Sequence, residues 1–400
     1  MKQRLSRRVS RLASSSTAAA GRAAQALAAS GVDVVDFGLG EPDFATPDFV
    51  ARAGISAIER GRTKYTDSAG HPRLRDAVAA RYCRDGAACA RDNVVVTAGA
   101  KQAVFNVCQA LFEEGDEVAL FSPYWVSFPE IVRLCGATPL FVPSEIGSGW
   151  KPFAERLAKA ATPATRGVIV NSPNNPTGAV IEAGELEKIL EWCASRDAYL
   201  IFDETYDRFL YDGRPQISAV AHWAKHSDRI VVTGAASKTY AMTGWRLGWA
   251  LARKDLVSAM AAFQSHSTSN ASTISQEAAL VALTDLGRSD ASVSRMLAEY
   301  ARRRDVMLAG LAAIPRIECV APEGAFYVFP RVAAYYGSKG VSGSVEFCEK
   351  LLAEAHVSAV AGEAFGEDSC VRFSFATSLE RVEEGLRRLR TWLEPSLPTS

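Results

Sequence analysis

The chain has 400 residues, of which 48% are hydrophobic and 22% charged; this composition is typical of a globular protein with ample apolar material for a core, and the length favours two domains. Lys plus Arg and Asp plus Glu number 45 each, so no overall charge favours nucleic acid or a membrane surface, and a small-molecule ligand is expected. No apolar run approaches the about 20 residues that a membrane-spanning helix needs, so we expect a soluble protein.

The first 32 residues are basic and contain no acidic side chain. With their many Ser and Ala residues they have the composition of an organelle transit peptide. The alternative is an amphipathic N-terminal helix with a basic face in solvent, and this interpretation is favoured.

Short β-rich runs alternate with helical segments through the middle of the chain. The predicted strands are DNVVVTAG, DEVALFSP, RGVIVNSP, AYLIFDET and RIVVTGAAS, and apolar residues at three- and four-residue spacing predict helices between them. This alternation predicts an α/β fold with three layers, a mostly parallel sheet with helices on both faces. Ligands of such sheets bind beyond the carboxyl ends of the strands, so the loops TAGAK, SPYW, NSPNNPTG, DETY and TGAASK are expected to face one cleft.

The first of these loops, in TAGAKQAV, combines a strand end, a glycine turn and a helix start. The amides of Gly99, Ala100 and Lys101 are therefore placed to hold a phosphate group at the helix N-terminus. Any strand-turn-helix unit has the same appearance, so the motif is weak by itself. In the next loop, Tyr124 and Trp125 are candidates to lie on a flat cofactor ring, although core packing explains most tryptophans.

The loop NSPNNPTG contains two Xaa-Pro bonds. Because an Asn-Pro bond permits a cis peptide at modest cost, a rigid loop here would aim the side chain of Asn175 at a ligand. We predict that the bond between Asn175 and Pro176 is cis.

Asp203 ends the apolar strand AYLIFD. An ionised carboxylate in that place is costly unless a cation meets it, and a protonated pyridine nitrogen is such a cation. Tyr206 follows closely and is a candidate donor to a phenolic oxygen on the same ring. The alternative is that Asp203 caps a helix.

The segment SKTYAMTGWRLG, residues 237–248, begins with a lysine just after a strand and contains an arginine near its end. An amine that forms an imine needs a water-poor site that lowers its pKa, and a loop entering the cleft supplies one for Lys238. The alternative is that Lys238 lies on the surface and Arg246 is an ordinary ion-pair partner.

From about Arg288 the pattern changes to a long basic helix followed by short strands and two further helical stretches. This pattern predicts a second, smaller α+β domain. The boundaries we predict are residues 1–46 for an N-terminal segment that contributes to the small domain, 47–287 for the large domain with the cleft, and 288–400 for the small domain.

The eight cysteines are scattered without a CxxC pair or a regular spacing. That distribution is typical of reduced thiols in a cytoplasmic protein, so neither a disulfide framework nor a metal site is expected.

Taken together, these segments resemble the class I aminotransferases of the aspartate aminotransferase family, in the bacterial branch that also contains prephenate aminotransferases. The shared motifs occur in the family's order and spacing over nearly the whole chain: GEPDFATP, TKYTDSAGHPRLRDAVA, GAKQAVFNVCQAL, SPYWVSFPE, NSPNNPTG, FDETYD, SKTYAMTGWRLG and VRFSFATS. The resemblance implies the fold of pyridoxal 5′-phosphate (PLP) dependent transferases, PLP as cofactor, and a homodimer with shared active sites.

By this resemblance, Lys238 is the catalytic residue, which carries the cofactor as a Schiff base and moves the substrate α-proton. Asp203 pairs with the pyridine nitrogen, Tyr206 and Asn175 hold the phenolic oxygen, and Trp125 stacks on the ring. The positions implied to hold the phosphate are Gly99, Ala100, Lys101, Ser237 and Arg246, with Tyr65 of the second subunit.

The resemblance also implies how the substrate binds. Arg372 grips the α-carboxylate as a bidentate fork, and Gly40 allows the backbone to approach the substrate. Trp125 and Asn175 border the same space. The N-terminal stretch matches a mobile helix that closes over the substrate, which makes Ser15 and Thr17 candidates to touch it.

Two positions depart from the family's pattern. Ala235 stands where Gly or Ser is frequent, so one possible phosphate-binding hydroxyl is missing. The arginine that reads the distal substrate carboxylate in the other branch is also missing, since this chain has Ser265 nearby and no arginine between Arg253 and Arg288. In the resembling branch a lysine in the GAK turn takes that role, which assigns it to Lys101.

The expected reaction is amino transfer between aspartate and 2-oxoglutarate in two half-reactions with ping-pong kinetics. Prephenate is the alternative acceptor, and a carbon-sulfur β-lyase or an arginine oxidase is possible on the same fold. A transcription regulator with an aminotransferase-like domain is a further alternative, but the chain shows no helix-turn-helix to bind DNA.

Overall fold

The computed structural model describes Ser6, Leu12 and residues 16–394. In this part of the chain, the strands are β1 Val35–Asp36, β2 Val94–Thr97, β3 Glu117–Ser122, β4 Thr138–Pro143, β5 Thr165–Asn171, β6 Tyr199–Asp203, β7 Ile230–Ala235, β8 Gly248–Leu251, β9 Tyr327–Val328, β10 Val357–Ser358, β11 Val360–Ala361 and β12 Val371–Ser374.

The α-helices of the same residues are α1 Ser16–Ala29, α2 Asp48–Glu59, α3 Pro72–Arg84, α4 Ala100–Leu111, α5 Ser127–Leu134, α6 Ala154–Ala160, α7 Ala183–Arg196, α8 Trp223–His226, α9 Ala236–Thr239, α10 Lys254–Ser265, α11 Thr273–Thr284, α12 Leu286–Ala312, α13 Tyr336–Lys339, α14 Ser344–Ala355 and α15 Leu379–Leu393. Of the helices that the structure describes, none is long and apolar enough to cross a membrane.

The central sheet has seven strands in the order β2-β8-β7-β6-β5-β3-β4. All pairs are parallel except those that β8 makes with its two neighbours. The α/β fold and the five predicted strands are therefore confirmed. Strands β4 and β8 were not predicted.

The sheet lies between two hydrophobic layers because successive side chains of a strand point to opposite faces. In β2, Val94 and Val96 belong to one buried cluster, whereas Val95 belongs to another. Both faces of the sheet are buried, which explains why the strand sequences are continuous apolar runs rather than alternations of apolar and polar residues.

The C-terminal part is built on the long helix α12 and an antiparallel sheet in the order β11-β12-β9. Strand β1, near the N-terminus, pairs in parallel with β10, and the N-terminal helix α1 packs near β10 and β11. An N-terminal helix was favoured from the sequence. The domain boundaries at residues 46 and 287 stay a prediction.

The prediction of a cis bond between Asn175 and Pro176 is wrong. The cis peptide bonds among the residues described are those before Pro123 and Pro173. Residues 174–178 instead form a turn closed by a hydrogen bond from the Gly178 amide to the Asn174 carbonyl, 2.9 Å. Pro176 lies inside this turn, and the bond before it is trans.

Candidate active site

A cleft of about 450 Å³ opens at the carboxyl ends of the parallel strands. Each of the five loops that were predicted to face one cleft contributes to its wall. The lining residues from those loops are Ala100, Lys101, Trp125, Asn171, Asn175, Asp203, Thr205, Tyr206, Ala235, Ser237 and Lys238. Gly21 of α1, the segment from Gly38 to Glu41, Thr243, Arg246, Tyr327 and Arg372 complete it. The volume is that of a small-molecule site.

Lys238 lies on the single helical turn α9, which follows β7 directly. Its Nζ donates to the Gly40 carbonyl at 2.5 Å. Burial, with the nearby cations Arg372, Arg246 and Lys101 acting in the same direction, lowers the pKa of the amine to about 8. The neutral, nucleophilic form of Lys238 is therefore far more populated near neutral pH than that of an ordinary lysine.

Asp203 is the last residue of β6 and is 5% exposed. Its Oδ1 accepts from the Thr205 hydroxyl at 2.7 Å and from the Thr233 hydroxyl at 3.2 Å, and Asn171 donates to Oδ2 at 3.3 Å. Burial raises the pKa of Asp203 to about 6 against these hydrogen bonds. Within residues 16–394, no Lys, Arg or His side chain forms an ion pair with it, so the carboxylate faces the cleft without a counter-ion.

Arg372, on β12, is 2% exposed. One Nη donates to the Gly38 carbonyl at 2.7 Å and the other to Asn175 Oδ1 at 3.1 Å, while Nε has no hydrogen-bond partner among the described atoms. Its guanidinium carbon lies 4.5 Å from the centre of the Tyr327 ring. Burial lowers the pKa of Arg372. A buried cation held only by neutral groups is costly, and an anionic ligand would relieve that cost.

Tyr206 is buried, and its hydroxyl lies 2.8 Å from that of Tyr327 on β9. Burial, reinforced by Tyr327, raises the pKa of the Tyr206 phenol well above its ordinary value. The hydroxyl therefore stays protonated and available as a hydrogen-bond donor. Asn175 was predicted to hold the phenolic oxygen of the cofactor together with Tyr206. In this structure its side-chain oxygen accepts a hydrogen bond from Arg372.

The turn before α4 is shaped for close approach to Arg246. Gly99 has φ +85°, and a Cβ built on it would lie 2.7 Å from an Arg246 Nη. Arg246 donates to the carbonyls of Thr243, at 2.9 Å, and Ala98, at 3.4 Å. The Gly99 amide donates to the Thr97 carbonyl at 2.9 Å. The first amides of a helix have no partner within it, so Ala100 and Lys101, with Arg246 and Ser237, bring donors to the cleft that they line.

Lys101 extends its amine over the Trp125 ring, 4.9 Å from the ring centre. Burial and the neighbouring Arg246 lower its pKa. Of the acidic side chains in the described ranges, none forms an ion pair with Lys101. Lys101 is thus a further cation of the cleft, beside Arg372 and Arg246, that forms no ion pair with a described residue.

Among the predicted residues that the structure describes, Tyr65 and Gly99 are not part of the cleft lining. Tyr65 is 88% exposed, and its role in the cleft of a second subunit stays a prediction. Ser15 lies outside the described residues. Thr17 lies in α1, but its side chain is not described. Ser265 is exposed and donates to the Ala262 carbonyl at 2.7 Å.

The sequence interpretation missed the residues that support the predicted ones. Tyr327 has no local signal, because its partner Tyr206 is 121 positions away. Thr205 did have one, since an Asp carboxylate commonly accepts from the backbone amide two residues on, as it does from the Thr205 amide at 3.3 Å. Asn171 ends β5 and Thr233 lies in β7. These two strands flank β6, whose last residue is Asp203, so the proximity of both residues to Asp203 follows only from the strand order.

The cleft combines a lysine amine of lowered pKa with buried opposite charges that lack counter-ions, as expected of an enzyme that acts on small charged organic molecules. Comparison with known proteins defines the family. Residues 32–389 match the family described as "Aminotransferase class I and II", and the chain belongs to that family. It is an aminotransferase.

Similar proteins match over almost their full length. The chain is 41% identical to a probable aspartate/prephenate aminotransferase of Aquifex aeolicus, with 98% of this chain and 100% of the relative covered. It is 38% identical to an aspartate aminotransferase of Geobacillus stearothermophilus, with 98% and 99% covered. Among solved structures, the aspartate aminotransferase from Thermus thermophilus with maleate superposes with a TM-score of 0.92 at 40% identity, covering 97% of this chain and 99% of that one.

Proposed function

We propose that the chain is a PLP-dependent aminotransferase that exchanges the amino group between aspartate and 2-oxoglutarate. One observation carries the proposal: Lys238, with a pKa of about 8, lines the same cleft as the buried Asp203 and Arg372, neither of which forms an ion pair among the residues described. The cofactor and the substrate would supply the missing opposite charges.

The cleft fits the cofactor at three points. Asp203 would pair with the protonated pyridine nitrogen, which favours the carboxylate form that burial now disfavours. The amides after Gly99, with Ser237 and Arg246, would hold the phosphate, and Tyr206 with Asn175 would hold the phenolic oxygen. Trp125, which lines the cleft, would stack on the ring. PLP supplies an electron sink for the charge that develops at the substrate α-carbon.

The side chains then divide the work of proton transfer and orientation. Lys238 Nζ would take the proton from the substrate α-carbon and return it later. The hydrogen bond to the Gly40 carbonyl, 2.5 Å, keeps this amine beside the backbone segment that approaches the substrate. Arg372 would fix the α-carboxylate with its two Nη atoms, so that the α-proton faces the amine.

Aspartate and 2-oxoglutarate are favoured as the pair because both have a second carboxylate. Lys101 lies on the wall of the cleft over Trp125 and would bind that carboxylate. The Thermus thermophilus relative was solved with maleate, a dicarboxylate, which supports a site for two acidic groups.

Prephenate is the second candidate acceptor. The relatives from Aquifex aeolicus and Thermus thermophilus, at 41% and 42% identity, are named aspartate/prephenate aminotransferases. Prephenate also has a second carboxylate, which Lys101 would bind in the same way.

The active enzyme would be a homodimer. Tyr65 is 88% exposed, and its proposed role is to contact the phosphate in the partner's cleft. The boundaries of residues 1–46, 47–287 and 288–400 complete the proposal, with the cleft between the large and small domains. A cytoplasmic location is proposed from the composition.

A panel of donors and acceptors tests the function. The holoenzyme would be assayed with aspartate, glutamate, aromatic amino acids and arginine against 2-oxoglutarate, oxaloacetate and prephenate. We expect the highest kcat/KM with aspartate and 2-oxoglutarate, and parallel lines in double-reciprocal plots. Intersecting lines, or release of ammonia without an acceptor, would contradict amino transfer by two half-reactions.

A further inference from the structure

Two thiols lie in contact on the surface of the large domain, away from the cleft. The sulfur atoms of Cys83 and Cys89 are 3.6 Å apart. Cys83 is exposed and Cys89 is half-buried, and neither lines the cleft. Their proximity has no role in amino transfer.

A specific backbone turn brings the two cysteines together. Helix α3 ends at Arg84, and Gly86 follows with φ +100°. The Gly86 amide donates to the Cys83 carbonyl at 3.2 Å, and the Ala87 amide donates to the Tyr82 carbonyl at 3.0 Å, which is the Schellman arrangement at a helix end. The chain therefore turns back along the helix, and Cys89 comes to lie beside the last turn of α3.

Hydrogen bonds hold both thiols in these positions. The Cys83 thiol donates to the Cys89 carbonyl at 3.2 Å, and the Cys89 thiol donates to the Ala79 carbonyl, one turn earlier in α3, at 3.5 Å. A disulfide has an S–S distance of about 2.05 Å, so the sulfur atoms must approach by roughly 1.5 Å. Side-chain rotation covers such a distance, since neither sulfur is fixed by more than these weak bonds.

We propose that Cys83 and Cys89 are an oxidation site, a dithiol that closes reversibly to a disulfide when it meets a disulfide oxidant such as glutathione disulfide. The exposed Cys83 sulfur attacks the oxidant, forms a mixed disulfide and releases one glutathione thiol. The Cys89 sulfur then displaces the second glutathione. Two protein thiols are oxidised, one glutathione disulfide is reduced to two thiols, and no other reactant is needed.

The order of attack follows from the surroundings of the two sulfur atoms. Burial, with the contact to Cys83, raises the pKa of the Cys89 thiol to about 12, so Cys89 is a poor first nucleophile. Once Cys83 carries glutathione, the Cys89 sulfur already lies beside the bond that it must break. Cytoplasmic proteins hold such pairs reduced until an oxidant appears.

Peptide mass spectrometry of the full-length holoenzyme tests the proposal. The native protein is incubated with glutathione disulfide, free thiols are blocked with N-ethylmaleimide, and the chain is digested with trypsin. Cleavage after Arg81, Arg84 and Arg91 separates YCR from DGAACAR, so an intact disulfide appears as these two peptides joined, with the loss of two hydrogen atoms. We expect this species at about tenfold or more above any other cysteine pair, and its disappearance after dithiothreitol.

Variants provide the controls. Cys83→Ser and Cys89→Ser should each abolish the linked peptide, and Cys89→Ser should instead retain glutathione on Cys83. Cys135→Ser, at a half-buried cysteine outside the pair, should leave the linkage unchanged. The proposal is overturned if the native protein accumulates glutathione on Cys83 without linkage, or if both cysteines remain open to N-ethylmaleimide while a synthetic dithiol peptide is fully oxidised in the same tube.

Discussion

Arg372 donates to the side-chain oxygen of Asn175 at 3.1 Å, and this contact joins the C-terminal strand β12 to the loop after β5 across the cleft. It also fixes the direction in which the guanidinium presents its remaining donors. The geometry therefore favours a planar anion such as a carboxylate, which accepts two parallel hydrogen bonds from arginine.

Replacing Arg372 by lysine should reduce kcat/KM for aspartate about 100-fold or more, because an ammonium is a point charge that cannot make the paired hydrogen bonds. Steady-state kinetics of both half-reactions measure the loss. Arg331→Lys is a matched control, since Arg331 is 40% exposed and pairs with Glu318 at 2.9 Å. Equal kinetics for the Arg372 variant and the control would mean that Arg372 does not bind substrate.

Lys101→Gln should lower kcat/KM for aspartate and glutamate while leaving aromatic amino acids nearly unchanged, because only dicarboxylic substrates carry the distal group. A tenfold or larger change corresponds to about 1.4 kcal/mol or more. Lys101→Arg keeps the charge and should recover part of the loss. A uniform loss over all substrates would assign Lys101 to the cofactor phosphate instead.

Asp203→Asn should stabilise the cofactor-free protein at pH 7 although it abolishes activity. The folded-state pKa is raised from 3.8 to about 6, so the native state binds more protons than the unfolded state between about pH 4 and 6, and its stability falls as the pH rises through that window. Removing the charge should recover up to about 3 kcal/mol at pH 7 and progressively less toward pH 4.

Urea unfolding of the apoprotein at several pH values measures this difference. Asp197→Asn is the control, because Arg229 lowers the pKa of that exposed carboxyl and its removal should not stabilise the protein at pH 7. If Asp203→Asn were no more stable than the wild type at pH 7, the carboxylate would not be strained in the absence of cofactor.

The rate at which the apoprotein captures PLP should rise with pH and level off above about pH 8. The amine of Lys238 reacts only when neutral, and its pKa is about 8. The approach to this plateau is followed by cofactor absorbance after rapid mixing. Lys238→Ala should show no such capture, and a rate that kept rising through pH 10 would indicate a lysine of ordinary pKa.

Each of the variants Tyr65→Ala and Lys238→Ala should bind PLP more weakly than the native protein. Mixing the two variants should restore sites of native PLP affinity. In a mixed dimer, one cleft has the native Lys238 and faces the native Tyr65 of the other chain, while the second cleft lacks both. Equilibrium dialysis of PLP after subunit exchange should detect one tight site in each mixed dimer. If affinity is the plain average of the two variants, Tyr65 does not serve the neighbouring cleft.

The sequence was most informative where one physical requirement acts locally. The five buried strands of the sheet are visible as apolar runs, and their polar ends predict the cleft. Strand β4 was missed because it contains Pro139 and Pro143 and lies at the sheet edge with mostly exposed or half-buried side chains. Strand β8 was missed because its four residues follow directly on the polar segment that was interpreted as a loop.

Features that depend on distant parts of the chain were less accessible. The pairing of Tyr206 with Tyr327 follows from the tertiary arrangement alone. The isomer of the bond before Pro176 depends on a turn closed by Asn174 and Gly178, and dipeptide preferences do not contain that information. The resemblance located Arg372, but its unpartnered Nε became visible only in the structure.

Strand β8, which is antiparallel to both of its neighbours, limits which sequence changes this enzyme can accept. Its first residue, Gly248, pairs with Ala235 of β7 and with Thr97 of β2, so the segment that carries Lys238 and Arg246 is tied to the sheet at both ends. Insertions or deletions between these ties would displace amine and guanidinium together, whereas substitutions would not. New substrate preferences should therefore arise in the loops around Lys101 and Arg372, while the length of the lysine segment stays constant.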